Sequence, residues 1–129
     1  MSLKKIQNQN ISVTVVTVYV PTESDPTNKN YFFAYKILIK NNSQQPAQLM
    51  SRYWKITDAF GHIEEVRGPG VVGLQPRLMP QQTFEYESAC PLTTSTGSMS
   101  GTYHFIDDDG DTFNIDIPEF FLVSPHAIH

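Results

Sequence analysis

Arg67-Gly68-Pro69-Gly70-Val71-Val72-Gly73 sets a guanidinium beside the letters of the G-x-G-x-x-G fingerprint, with Gly68, Gly70 and Gly73 at the glycine positions. That fingerprint holds a pyrophosphate when a strand precedes it, a helix N-terminus follows it, and an acidic residue about twenty positions on meets the ribose. Here Leu74-Gln75-Pro76 forbids a helix growing out of Gly73, and the positions about twenty on are Thr93 to Thr96. The dinucleotide fold is therefore excluded. What survives is a loop between strands with three residues free to take positive φ, whose N–H groups can form a nest for an anion. Arg67, immediately before Gly68, and Arg52 are the candidate sources of positive charge for a nucleotide or pyrophosphate there.

Asp107, Asp109 and Asp111 alternate as the first calcium ligands of a twelve-residue loop do, but the twelfth position is Pro118, which cannot coordinate, and the flanks read as strands. Asp109-Gly110 is hairpin chemistry, so the aspartates are a weak candidate for divalent cations and a strong one for a solvated turn. His62 and His104 stand alone in the sequence. His126 and His129 have H-x-x-H spacing at the chain end, a second weak metal candidate, since a short terminal segment needs further ligands to make a rigid site. Cys90 follows an acidic strand and lacks the basic neighbours or helix start that activate a thiol. No serine or threonine sits in a strand-to-helix elbow, so no catalytic residue and no cofactor is assigned. Arg52-Tyr53-Trp54 is the sharpest oddity: Met50, Trp54 and Ile56 read as the inward face of a strand, and Arg52 shares their parity. Either the strand bulges there or the arginine reaches an edge and pairs with a carboxylate.

The elements that must carry these residues are strands. Period-two alternation predicts them over Ile11 to Val20, Tyr31 to Asn41, Ala47 to Thr57, His62 to Val66, Thr83 to Ser88 and Gly97 to Ile106. Phe113, Ile115 and Ile117 mark a seventh, and Phe120 to Val123 a last short one. Asp58-Ala59-Phe60-Gly61 and Asp107-Asp108-Asp109-Gly110 read as hairpin turns, and Pro76 to Pro80 as a proline-flanked link. Seven or eight antiparallel strands in 129 residues imply an all-β two-sheet β-sandwich. Residues 1–10 read as an N-terminal extension in which Met1 to Leu3 resemble a cloning remnant, and 11–129 as one domain.

A net charge of −4 with nine scattered basic residues argues against nucleic acid as a partner. No run of about twenty apolar residues is present to insert into a membrane, and MSLKKIQNQN lacks the apolar core of a secretory signal. Together with the single cysteine, these features imply a cytoplasmic protein.

The motifs RYW at Arg52 to Trp54, GPGVVGLQP at Gly68 to Pro76, G-x-M-x-G-x-Y from Gly97 to Tyr103 and FNIDIPEF from Phe113 to Phe120 resemble the ApaG family, also called CorD. The resemblance runs from about Ile11 to His129. It implies an immunoglobulin or fibronectin type III-like sandwich, an association with cobalt resistance and magnesium efflux, and, through related eukaryotic domains, a role in protein binding. It brings no catalytic residues. The expected function is a non-catalytic binding module acting indirectly through an unidentified protein partner, with edge strands open to homodimerisation. The alternative is a phosphate-bearing small ligand, a nucleotide or pyrophosphate, at Gly68 to Gly73.

Overall fold

The structure, a computed structural model, describes residues 10–125. The N-terminal extension expected over residues 1–10 lies outside them except for Asn10, as do His126 and His129.

Eight strands form two antiparallel sheets: β1 (Ile11–Tyr19), β2 (Tyr31–Asn41), β3 (Ala47–Asp58), β4 (Ile63–Pro69), β5 (Arg77–Leu78), β6 (Thr83–Leu92), β7 (Thr96–Asp107) and β8 (Thr112–Val123). One sheet has the order β1-β2-β6. The other has the order β4-β3-β7-β8, with β5 also paired to β3. Alternation in the sequence becomes alternation in burial. Phe33, Tyr35, Ile37 and Ile39 of β2 face Leu49, Trp54, Met99, Tyr103 and Phe105 across the core, while Lys36 and Leu38 face water. Each fully buried large apolar side chain of this kind contributes about 1.5–3 kcal/mol. Among the described residues no helix is long and apolar enough to cross a membrane.

β4 and β6 run further than expected, to Pro69 and Leu92, so that Gly68 is strand and not loop. Three further departures each have a local cause. Met50 is not inward: the β3–β7 register shifts between Leu49 and Ser51, leaving Met50 at 36% exposure. Ala47 and Leu49 have the opposite parity to Arg52 and Trp54, so one extra residue is needed to bury both sets. The link from Pro76 to Pro80 contains β5, whose Leu78 is buried and pairs with Ala47. The last two expected strands are a single strand, β8. Its register against β7 shifts between Met99 and Gly101, so that Ile117 and then Phe120 both point inward past Pro118 and Glu119. Proline, which has no N–H to give a ladder, is tolerated at such a bulge.

Candidate functional site

The glycine segment is a detour in one sheet edge. β4 pairs with β3 over Ser51–Thr57 and β5 pairs with the same strand over Ala47–Gln48, so the chain leaves the edge after Pro69 and rejoins it at Arg77. The β3 bulge lies at the gap between them. Its Met50 carbonyl accepts hydrogen bonds from the Gly70 N–H at 2.9 Å and the Gln75 side-chain amide at 2.9 Å, and the Leu49 N–H donates to the Pro76 carbonyl at 3.0 Å.

Between these anchors Val71 and Leu74 exchange both backbone hydrogen bonds, closing a two-residue hairpin with Val72 at φ 43° and Gly73 at φ 81°. Positive φ at both central residues is the primed turn that suits strand twist, and a β-branched valine is an uncommon occupant. Gly70 is required: its φ is +60° and a Cβ there would lie 2.0 Å from the Leu74 carbonyl oxygen. Val71 is buried, whereas Val72 and Leu74 are 53% and 54% exposed.

The two arginines proposed to serve this loop lie on opposite faces of the sheet. Arg67 pairs in register with Tyr53, and its guanidinium stacks 4.6 Å above the Tyr53 ring and 3.7 Å from Glu65, on the outer face. Arg52 pairs with Gly68 and points inward, donating from Nη1 to the carbonyls of Pro69 at 3.0 Å and Gly70 at 3.1 Å. Its partner is therefore the loop backbone. Among the described residues no carboxylate comes within ion-pair distance of it. Gly68 lacks a side chain where one is needed least, because a Cβ would stand 2.9 Å from Nη1 of Arg52.

Arg52 stands in a cleft of about 350 Å³ between the facing edges β4 and β6, lined by Tyr35, Trp54, Val66, Tyr86, Ser88 and Glu64 among others. Tyr86 and Tyr103 share a hydroxyl–hydroxyl hydrogen bond of 2.5 Å. Burial raises the pKa of both phenols and of Tyr35, and the Arg52 charge opposes that rise in all three. Burial also pushes the Cys90 thiol up to about 11, with the Glu64 carboxylate adding to the effect, so the thiol is protonated at neutral pH. The cleft escaped the sequence reading, yet Tyr86, Ser88 and Cys90 are successive inward positions of β6, and polar groups at core parity were its visible sign.

The remaining candidates stay apart from this cleft. Ligand atoms of Asp107, Asp109 and Asp111 lie within 4.8 Å of one another, the only such group among the described residues. The Asp107 carboxylate accepts the N–H groups of Asp109 and Asp111 at 2.9 and 3.0 Å, fastening the β7–β8 turn, and Asp108 pairs with Arg77 at 2.7 Å. His62 lies beside Asp58 at the β3–β4 turn, and His104 meets Asn114 on the outer face of β7.

An eight-stranded antiparallel sandwich with one edge strand interrupted by a hooked glycine hairpin is the class this architecture defines. The chain belongs to the ApaG domain family, which matches residues 21–107. It is 58% identical over 127 residues to Protein ApaG of Bdellovibrio bacteriovorus, covering 98% of this chain and 100% of that one. With Protein ApaG of Dechloromonas aromatica it shares 50% over 119 residues, covering 92% and 94%. The crystal structure of an ApaA protein from Bordetella pertussis superposes with a TM-score of 0.88 at 50% identity, covering 89% of this chain and 94% of that one.

Proposed function

We propose that this protein is a cytoplasmic binding module without catalytic machinery, and that the hairpin from Gly68 to Pro76 is its contact with a protein partner. The observation that carries this reading is the hairpin tip. Val72 and Leu74 present apolar side chains to water from a backbone held at three points, and a left-handed β-branched residue costs about 1–3 kcal/mol to maintain. A pre-formed apolar tip loses little conformational entropy on docking. The link to cobalt resistance and magnesium efflux that the family resemblance implies is then indirect, exerted through that partner. The test is affinity capture from cell extract with the natural chain and with Val72→Asp/Leu74→Asp, both first shown to melt at the same temperature. Proteins enriched by the natural chain should fall at least tenfold with the variant, and equal recovery would refute the hairpin as the contact. A second copy of the chain qualifies as the partner if the same variant converts a dimer to a monomer in sedimentation.

A second reading keeps the loop as an anion site for a nucleotide or pyrophosphate at the turn formed by Val72 and Gly73. Of the groups the sequence offered, Arg52 and Arg67 lie on opposite faces and can serve it only singly, and the Gly70 N–H is held by the Met50 carbonyl. The support for this reading is that the Val72 and Gly73 N–H groups donate to no acceptor among the described residues. Pyrophosphate should then raise the melting temperature saturably and shift the Val72 and Gly73 amide resonances, and a rise that leaves those two amides unmoved would refute the loop as its site.

A further inference from the structure

We infer that the cleft between β4 and β6 is a binding site for a small organic monoanion, a carboxylate carried on a flat apolar body, with Arg52 as the residue that meets the carboxylate. The sheets do not close on this flank: β1 packs against β8 on the other side, whereas β4 and β6 make no comparable contact. The cleft volume of about 350 Å³ falls within the range of small-molecule sites. Its surfaces are divided almost evenly between apolar and polar groups: Tyr35, Trp54, Val66 and Met99 supply the apolar and aromatic part, and one side-chain cation stands among them.

That cation is the informative group. A guanidinium in a partly enclosed aromatic setting is ordinarily neutralised by a carboxylate, and among the described residues Arg52 has none. Nη1 is spent on two backbone carbonyls, which fixes the plane of the group. Nε and Nη2 have no protein acceptor among the described residues, and a carboxylate takes such donors in pairs. Glu64 sets the other limit. Arg52 pairs with Gly68, Trp54 with Val66 and Ile56 with Glu64, so these six residues are three rows on one face. Four residues of strand separate Gly68 from Glu64, roughly 13 Å. The cleft thus runs from a positive end across an apolar floor to a negative end. One anionic group at the Arg52 end is favoured, and a second at the far end is repelled.

Trp54 is the only tryptophan in the chain and lies on the cleft floor, so its indole N–H resonance reports occupancy. The probes are 3-phenylpropionate, its uncharged amide, and inorganic phosphate, each titrated against isotope-labelled protein. The proposal expects a saturable shift of the Trp54 signal with 3-phenylpropionate, at least tenfold weaker binding of the amide, and no Trp54 shift with phosphate at equal concentration. Arg52→Gln should reduce carboxylate affinity at least tenfold. Because that change also loosens the hairpin, Val66→Phe is the companion, filling the floor while leaving Arg52 in place, and it should abolish the shift. Equal binding of acid and amide would overturn the proposal. So would a shift that survives Val66→Phe, or perturbations confined to the amides of Val72 and Gly73.

Discussion

The two flanks of the sandwich are built from the same alternating strands and finish differently. On the β1/β8 flank the inward positions are Ile11, Val13, Val15, Thr17 and Tyr19 from one edge and Phe113, Ile115, Ile117, Phe120 and Leu122 from the other, apolar but for the hydroxyls of Thr17 and Tyr19, and the edges meet. On the β4/β6 flank the inward positions include Glu64, Gly68, Tyr86, Ser88 and Cys90, and a cleft separates the edges. Apolar side chains drive two sheets together until water is expelled. A guanidinium, a carboxylate and hydroxyls at the same parity oppose that closure, because each loses hydration unless it finds a partner inside. The closed flank therefore concentrates stability, and the open one concentrates chemistry.

The largest test of that difference is a pair of truncations. Leu122, fully buried on β8, should cost about 3 kcal/mol when replaced by alanine, within the usual range for a leucine cavity. Val66 lines the open cleft and is only half-buried, so Val66→Ala should cost about 1 kcal/mol or less, there being little packing to lose. Urea unfolding of the two variants measures both. Equal losses would mean that the two flanks are packed alike and that the cleft is no weaker than the seam opposite.

A smaller effect should appear at alkaline pH, concentrated on the open flank, where the raised phenols and thiol are buried. Lys36 and Tyr53, whose pKa values are raised by Glu85 and Glu65, lie on the outer faces of the sheets. Cys90, Tyr35 and Tyr86 all lie along the cleft with their pKa values raised by burial, as does Tyr103 behind them. An acid whose folded pKa exceeds its unfolded value holds its proton in the native state while the unfolded chain releases it. The stabilisation is complete below the unfolded pKa and is lost as pH rises through the folded one. Stability should thus be level from pH 6 to about 8.5 and decline from about 9 upward. The thiol enters first because an unfolded cysteine titrates at about 8.5, below the phenols at about 10, and its contribution is exhausted at its folded value of about 11. Cys90→Ala should flatten the first part of the decline. Hydrogen exchange at pH 9.5 should open β6 before β1, and the reverse order would break the comparison.

Much of this contrast could be read from residue types. The extents of β1 and β2, the hairpin turns at Asp58–Gly61 and Asp107–Gly110 and the inward stripe of β2 all follow from local alternation and turn chemistry. What could not be read depends on partners distant in sequence. The bulge at Met50 exists because Leu49 and Trp54 must both be buried, and its carbonyl is satisfied by Gly70 and Gln75, twenty and twenty-five positions on. β5 is too short to carry a period and is defined by its pairing with Ala47. At Arg52 both expected solutions were half right: the strand does bulge, two residues earlier, and the head does reach an edge, where it takes backbone carbonyls in place of a carboxylate. Nothing local distinguishes a carbonyl partner from a carboxylate one.

The smallest effect isolates the electrostatics of the cleft from its packing. Glu64 is exposed at the negative end of the cleft, and its charge raises the Cys90 pKa beyond what burial alone produces. Glu64→Gln keeps the shape and removes the charge. The stability of the variant at pH 7 should match the parent within about 0.5 kcal/mol, as for most exposed substitutions. The rate of Cys90 alkylation should nevertheless rise at a lower pH, because a thiolate no longer faces a carboxylate across the cleft. Lys36→Gln, which breaks an exposed ion pair with Glu85 on the outer face of the β1-β2-β6 sheet, removes a charge of opposite sign and should leave the alkylation profile where it was. If Glu64→Gln also left it unchanged, the carboxylate would be screened from the thiol by water. The negative end of the cleft would then exert no field on what enters it, and the limit that Glu64 sets on the ligand's charge would fall, while the role of Arg52 would stand on its own test.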